Sequence, residues 1–334
     1  MRGECMKVTV VGAGSWGTTV ASMLAPRVET VLWARRPELA ERITAGTNPD
    51  YLPGFELPPE LTGSADIEAA VAGADTIVMS VPSHGFRTVL EQAAPTIESE
   101  TPILSLSKGI EQSTLMRMTE VVSDVLRSHN HSLVGVLTGP NLAREIMAGQ
   151  PAATVIAMTG HSAAVDLQSV FMGPRFRVYT NPDVVGAESA GALKNVMAIA
   201  AGMAEGLGFG LNTVSMLMTR ALVEMSRLGV AMGGRPSTFA GLAGMGDLIA
   251  TCMSSESRNH RVGLGLGQGK TIDEIVSEMN MVAEGVKSTK GILALADRYD
   301  IEMPIAEQVG RVLYDDASVP EAIAMLMGRS AKPE

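Results

Sequence analysis

The chain has 334 residues, 46% of them hydrophobic and 19% charged, enough to bury two domain cores and too apolar for wholesale disorder. Lys and Arg number 26 against 36 Asp and Glu, a formal net charge of -10, so the long-range field repels nucleic acid and anionic membranes. Two cysteines, Cys5 and Cys252, exclude a disulfide framework, and no Cys/His spacing fits a zinc site, so no metal is expected.

In chain order, short β-branched runs come first, at Lys7 to Gly12, Thr30 to Ala34, Asp75 to Val81, Ile103 to Leu106, Leu133 to Leu137 and Ala153 to Met158. Helix-compatible stretches separate them. This alternation predicts an α/β domain over residues 1–183, a Rossmann-type doubly wound parallel sheet. After Asn181-Pro182-Asp183, Gly, Ala, Met and Leu recur at helical spacing, which predicts an all-α C-terminal domain over 184–334. Pro304 and Pro320 each suit a first helical position. Met197, Met216, Met218, Met225, Met325 and Met327 read as gap-fillers in apolar helices, and His129 and His131 as solvated loop residues. The run at Val8 to Val11 ends in glycines, not in a signal-peptide core. No stretch reaches about 18 uninterrupted apolar residues, because the longest candidate, 187–203, carries Glu188 and Lys194. A cytoplasmic protein without a membrane span is expected.

Gly12-Ala13-Gly14-Ser15-Trp16-Gly17 fits G-x-G-x-x-G, with a strand before it and a helix-compatible run after it. Gly12 allows the tight turn, Gly14 the approach of a pyrophosphate and Gly17 close helix–strand packing, while the helix N-terminus offers N–H groups to the anion. A glycine turn without a ligand is the alternative. NAD-preferring domains carry an acidic residue about 20 residues further on, at the tip of the second strand; here that tip reads Trp33-Ala34-Arg35-Arg36. Two guanidiniums favour a 2′-phosphate, hence NADP(H) with NAD(H) possible, unless both arginines are merely solvated.

Lys194 lies in an otherwise apolar helix, where an ammonium needs a partner or a function. If the segment from Asp247 is helical, Asp247 and Thr251 share a face. Ser257-Arg258-Asn259 supplies consecutive polar groups suited to a phosphate.

With these segments the chain resembles the bacterial type of the NAD(P)-dependent glycerol-3-phosphate dehydrogenase family. The resemblance rests on the glycine motif, Val81-Pro82-Ser83-His84, Ser107-Lys108-Gly109, Thr138-Gly139-Pro140-Asn141-Leu142-Ala143, the run from Gly191-Ala192-Leu193-Lys194-Asn195 to Asn212, Gly244 to Cys252, Ser257-Arg258-Asn259 and Val282-Ala283-Glu284-Gly285. It implies reversible reduction of dihydroxyacetone phosphate to sn-glycerol 3-phosphate, for phospholipid synthesis, by a homodimer. It further implies Lys194 as proton donor and acceptor beside Lys108, Asp247 and Thr251, with Ser257, Arg258, Asn259, Gly139 and Asn141 on the substrate. For the cofactor it implies Ser15, Trp16, Arg35, Lys108, Ala143, Arg258, Val282 and Glu284; Arg36 is added from its charge. Two positions depart from the family pattern. Asn141 stands where Ser or Thr is frequent, and His260 where an Arg is, which removes one fixed charge from the phosphate end.

From residue chemistry alone two other readings stay open: a two-domain hydroxy-acid dehydrogenase, whose substrate carboxylate would meet the same cations, and a non-catalytic NADPH-sensing regulator. A buried salt bridge without a catalytic part is the plain alternative for Lys194.

Overall fold

A computed structural model describes residues 6–279 and 283–330. Cys5 and Val282 lie outside the described residues. Two compact units divide the chain: one runs through Ser107 and resumes over Met116–Val184, the other takes Lys108–Leu115 and the chain from Val185 on. A single boundary after residue 183 does not foresee that residues 108–115 pack with the helical unit.

The first unit holds an eight-stranded sheet of order β3-β2-β1-β4-β5-β6-β7-β8, with β1 Lys7–Val11, β2 Glu29–Trp33, β3 Leu61–Ser64, β4 Thr76–Met79, β5 Ile103–Ser105, β6 Val134–Thr138, β7 Ala152–Met158 and β8 Phe176–Asn181. Its helices are α1 Ser15–Leu24, α2 Pro37–Thr44, α3 Ile67–Val71, α4 Ser83–Ala93, α5 Met118–Val125, α6 Ala143–Met147 and α7 His161–Phe171. Side chains of successive strand residues go to opposite faces, and both faces are covered. Val8, Val10, Val78 and Leu104 enter one core, whereas Val11, Ile77, Met79 and Ile103 enter the other. That double burial explains the unbroken apolar runs of the inner strands. Strand order reverses between β1 and β4, the switch point where doubly wound sheets bind ligands.

The sheet departs from the all-parallel expectation at one junction, since β7 pairs antiparallel with β6 before β8 pairs parallel with β7. Strands β3 and β8, which the sequence did not announce, close its two edges.

The second unit is helical: α8 Val184–Gly206, α9 Leu211–Ala231, α10 Pro236–Phe239, α11 Asp247–Met253, α12 Arg258–Gly267, α13 Ile272–Ser277, α14 Glu284–Arg298, α15 Pro304–Tyr314 and α16 Val319–Met327. Helix α8 is buried continuously from Gly186 to Ala204, as a helix apolar on all sides must be. Pro304 opens α15 as expected; α16 starts one residue before Pro320, capped by Ser318. Met197 and Met225 are buried, but Met216, Met325 and Met327 are exposed and fill no core gap. His129 is likewise not solvated: it is buried, and burial lowers its pKa. Among the described residues, no helix is long and apolar enough to cross a membrane.

Candidate active site

In the first unit the glycine turn joins β1 to α1. Gly12 has φ +118°, a region L side chains avoid, and a Cβ there would lie 2.6 Å from Ser80 O. A Cβ on Gly17 would lie 2.0 Å from Gly12 O, so only glycine lets α1 start this close to β1 and β4. Above Gly14 the opposite holds: no heavy atom stands within 4 Å of the Cβ position. Gly14 is also the N-cap of α1 and gives it no side-chain cap, so no cap side chain takes up the first N–H groups of the helix. A narrow turn, an open approach and an uncapped helix start fit a dinucleotide pyrophosphate. Ser15 Oγ donates to Tyr51 O at 2.7 Å, and Trp16 packs tilted against Phe176 with its Nε1 buried. At the tip of β2, Arg35 and Arg36 are exposed. Arg36 is paired with Asp50, and Arg42 stands 3.7 Å from the same carboxylate.

Gly139 has φ +149° and follows β6. The Asn141 amide is engaged at both ends, donating to Ala153 O at 3.1 Å and accepting from Thr154 Oγ1 at 2.9 Å. This fixes the amide orientation and leaves one N–H uncommitted. Ala143 opens α6.

The second unit brings Lys108, Lys194, Asp247 and Thr251 into one cluster. Lys194 lies mid-way along α8, so its stem is surrounded by the apolar core. Its Nζ donates to Asp247 Oδ1 at 2.6 Å and to Thr251 Oγ1 at 2.5 Å. Lys108 Nζ donates to the other carboxylate oxygen, Oδ2, at 2.6 Å. Asp247 and Thr251 share the inner face of α11, their side chains 3.3 Å apart, and a π-helical turn over Leu242–Gly246 delivers the chain to Asp247. Burial pushes Lys194 down to about 8; Asp247 opposes that shift and the Lys108 ammonium adds to it. Cys252, next on α11, is pushed up to about 12 by burial and stays a thiol.

Ser257 caps α12 by accepting from His260 N at 3.2 Å, so its hydroxyl is partly used by the fold. Arg258 and Asn259 form the first turn of α12. Asn259 Oδ1 accepts from Gly285 N at 2.9 Å, which turns its NH₂ the other way and ties it to the start of α14, where Glu284 is the first residue. The His260 ring points to Glu205, with Nε2 3.0 Å from Oε2. From residue 194 to residue 205 is about 16 Å of helix axis, so the lost charge at 260 stands away from the lysine cluster.

One buried polar side chain next to the lysine cluster went unassigned in the sequence. Asn195 is buried and donates through Nδ2 to Lys108 O at 2.9 Å, fastening the 108–115 segment to α8. An amide in an apolar helix is the same signal that singled out Lys194 one residue before it. Among the described residues, no group of three or more His, Cys, Asp or Glu could hold a metal ion.

Comparison with known proteins gives concordant results for the two halves. Residues 7–164 match the model of the NAD-dependent glycerol-3-phosphate dehydrogenase N-terminus and residues 183–324 that of its C-terminus. A glycerol-3-phosphate dehydrogenase [NAD(P)+] of Sphingopyxis alaskensis is 56% identical over 91% of each chain, and one of Thermobifida fusca 50% identical over 98% of each. The crystal structure of glycerol-3-phosphate dehydrogenase from Coxiella burnetii superposes with a TM-score of 0.92 at 37% identity, covering 97% of this chain and 99% of that one. Matched in both halves and along nearly its whole length, the chain belongs to the NAD-dependent glycerol-3-phosphate dehydrogenase family.

Proposed function

We propose that the protein reversibly reduces dihydroxyacetone phosphate to sn-glycerol 3-phosphate with NAD(P)H, Lys194 handling the proton. The observation that carries the mechanism is the buried Lys194 ammonium between Asp247 and Thr251, with its pKa brought down to about 8.

The bound nicotinamide supplies the hydride. Lys194 has three N–H donors, two of them committed to Asp247 and Thr251. The third is left for the substrate carbonyl oxygen, to which it gives its proton as negative charge develops. A pKa near neutrality lets the same amine release a proton in reduction and accept one in oxidation. Two ammoniums share one carboxylate in this cluster, so it carries one surplus positive charge in a poorly solvated place. That surplus favours an oxyanion over a neutral carbonyl. Asp247 and Thr251 hold Lys194 in position, and Asn195 holds Lys108.

Ser257, Arg258 and Asn259 take the phosphate, Arg258 through its planar fork and Asn259 through the NH₂ left free by Gly285. Gly139 and Asn141 contact the substrate as well, Asn141 by its remaining N–H. The phosphate lies remote from the reacting carbon, so its binding energy goes into orientation. Gly12, Gly14, Ser15, Trp16 and Gly17 hold the cofactor pyrophosphate, with Lys108, Ala143, Arg258, Val282 and Glu284 as further contacts. Arg35 and Arg36 favour NADP(H) while NAD(H) remains usable. A cytoplasmic homodimer supplying glycerophospholipid synthesis completes the reading.

The test is NADPH absorbance with dihydroxyacetone phosphate, for wild type and Lys194→Met. Loss of the general acid should cost about 10²–10⁴ in kcat while NADPH affinity is unchanged. A variant keeping more than about a tenth of wild-type kcat would remove Lys194 from the mechanism.

A further inference from the structure

The connection between α2 and β3 is pinned beneath the glycine turn. Asn48, fully buried, donates through Nδ2 to Ala13 O at 3.0 Å and to Thr18 Oγ1 at 2.8 Å. Tyr51 O accepts from Ser15 Oγ at 2.7 Å, and Leu52 is fully buried. Asp50 lies between these anchors, so its backbone is held in place even though its side chain is a third exposed. The carboxylate is shared by two guanidiniums, in close contact with Arg36 and 3.7 Å from Arg42. Arg36 follows the tip of β2 and is the N-cap of α2. A tip that carries cations in the sequence thus receives a carboxylate in the fold, brought from 14 residues further along the chain.

We propose that Asp50 is a cofactor-specificity residue: it occupies Arg36 when no 2′-phosphate is present and competes with that phosphate for the guanidinium. The proposal rests on the reading that the glycine turn holds NAD(P)H with its adenosine ribose toward Arg35 and Arg36. A 2′-phosphate must share Arg36 with an anion already bonded to it, and two anions on one guanidinium repel each other. An unphosphorylated ribose carries no such penalty, and its neutral 2′-OH can donate to the carboxylate. Asp50 therefore works against NADPH and for NADH, so one site accepts both cofactors. Arg36 is half-exposed and Asp50 a third exposed, which keeps the effect moderate and salt-sensitive.

Asp50→Asn keeps an acceptor for Arg36 and removes the charge. The readout is equilibrium binding to the full-length protein of 2′,5′-ADP and 5′-AMP as probes, then of NADPH and NADH, at low and high salt. The expected result is 2′,5′-ADP binding tightened about three- to five-fold at low salt, with 5′-AMP unchanged or weakened, and the difference compressed at high salt. Equal weakening of both probes would make Asp50 a loop prop and overturn the proposal, as would no change in their ratio. Wild-type protein that binds neither NADPH nor NADH would refute the cofactor reading itself and the proposal with it.

Discussion

Replacing Asp247 with asparagine separates a catalytic cluster from an ordinary buried ion pair. Asp247 bonds both ammoniums at 2.6 Å and is 2% exposed. Of the groups around Lys194 it is the charge that resists the downward pull of burial and of Lys108. Asparagine keeps one carbonyl acceptor but turns the other oxygen into a donor facing an ammonium. Losing a hydrogen bond between charged groups costs about 1.5–3 kcal/mol, and one pKa unit is worth about 1.4 kcal/mol, so the Lys194 pKa should fall by roughly one to two units. With Lys194 as the proposed proton donor, reduction needs it protonated, so wild-type kcat/KM should decline as pH rises through about 8. In the variant that decline should begin one to two units lower, leaving the reduction rate near neutrality about two- to ten-fold down. Oxidation of glycerol 3-phosphate needs the neutral amine, so its rise with pH should move in the same direction by the same amount. The assay is kcat/KM against pH in both directions for both proteins; their ratio cancels the substrate's own titration. A variant that is slower at every pH with unmoved limbs, or with limbs moved upward, would show that Asp247 does not set the Lys194 proton affinity.

Arg258→Ala should raise KM for dihydroxyacetone phosphate and narrow its advantage over unphosphorylated dihydroxyacetone by roughly 10- to 100-fold, the worth of a charge-assisted bidentate contact; an undiminished advantage in competing-substrate assays would place the phosphate elsewhere. Glu224 on α9 caps α15 by accepting from Ile305 N at 2.9 Å and Ala306 N at 3.4 Å, and burial still pushes its carboxyl up to about 7 from 4.5, with Glu307 and Arg220 the nearby charges. The native state therefore holds this proton more tightly than the unfolded chain, so its contribution is full below 4.5 and is lost as pH rises through about 7. Urea unfolding at about pH 5 and about pH 7 should show wild type losing about 2 kcal/mol over that interval and Glu224→Gln losing much less; equal slopes would refute it.

The parts legible in the sequence are those whose signal is local. The glycine turn with its flanking strand and helix, and a lysine in an apolar helix, are each complete within some ten residues. The pairing of Lys108 with Asp247 is not, because 139 residues separate them and no local pattern at either end states that they meet; only the family resemblance placed both beside Lys194. Strand β8 alternates buried Phe176 and Val178 with exposed Arg177 and Tyr179, the mark of an edge strand with one wet face, which a search for continuous apolar runs passes over. Strand β3 is four residues with a glycine inside. The direction of β7 depends on the connection over residues 139–151, which contains only the short α6, and not on anything in β7 itself. Exposed Met216, Met325 and Met327 show the converse limit: an apolar helix sequence fixes the helix, but which side faces water depends on what packs beside it.

Precision in the lysine cluster has a backbone origin. Helices α8 and α12 meet through glycines: a Cβ on Gly202 would lie 2.1 Å from His260 O, and one on Gly263 2.0 Å from Ile199 O. Gly206 and Gly267 continue the contact one turn further, each with its Cβ position 2.4 Å from a carbonyl oxygen of the other helix. No side chain separates the two helices along this line, so their spacing is set by main-chain van der Waals contact and not by rotamers that can change. Lys194 lies on one of these helices and Arg258 and Asn259 at the start of the other. The distance between the proposed proton donor, Lys194, and the proposed phosphate-binding groups, Arg258 and Asn259, is therefore fixed by elements that cannot yield without moving a whole helix, and a misplacement of about 1 Å can cost on the order of a hundred-fold in rate. Gly202 and Gly206 belong to the same helix as Lys194. Their contacts give them a packing role, setting where Lys194, Arg258 and Asn259 stand relative to one another.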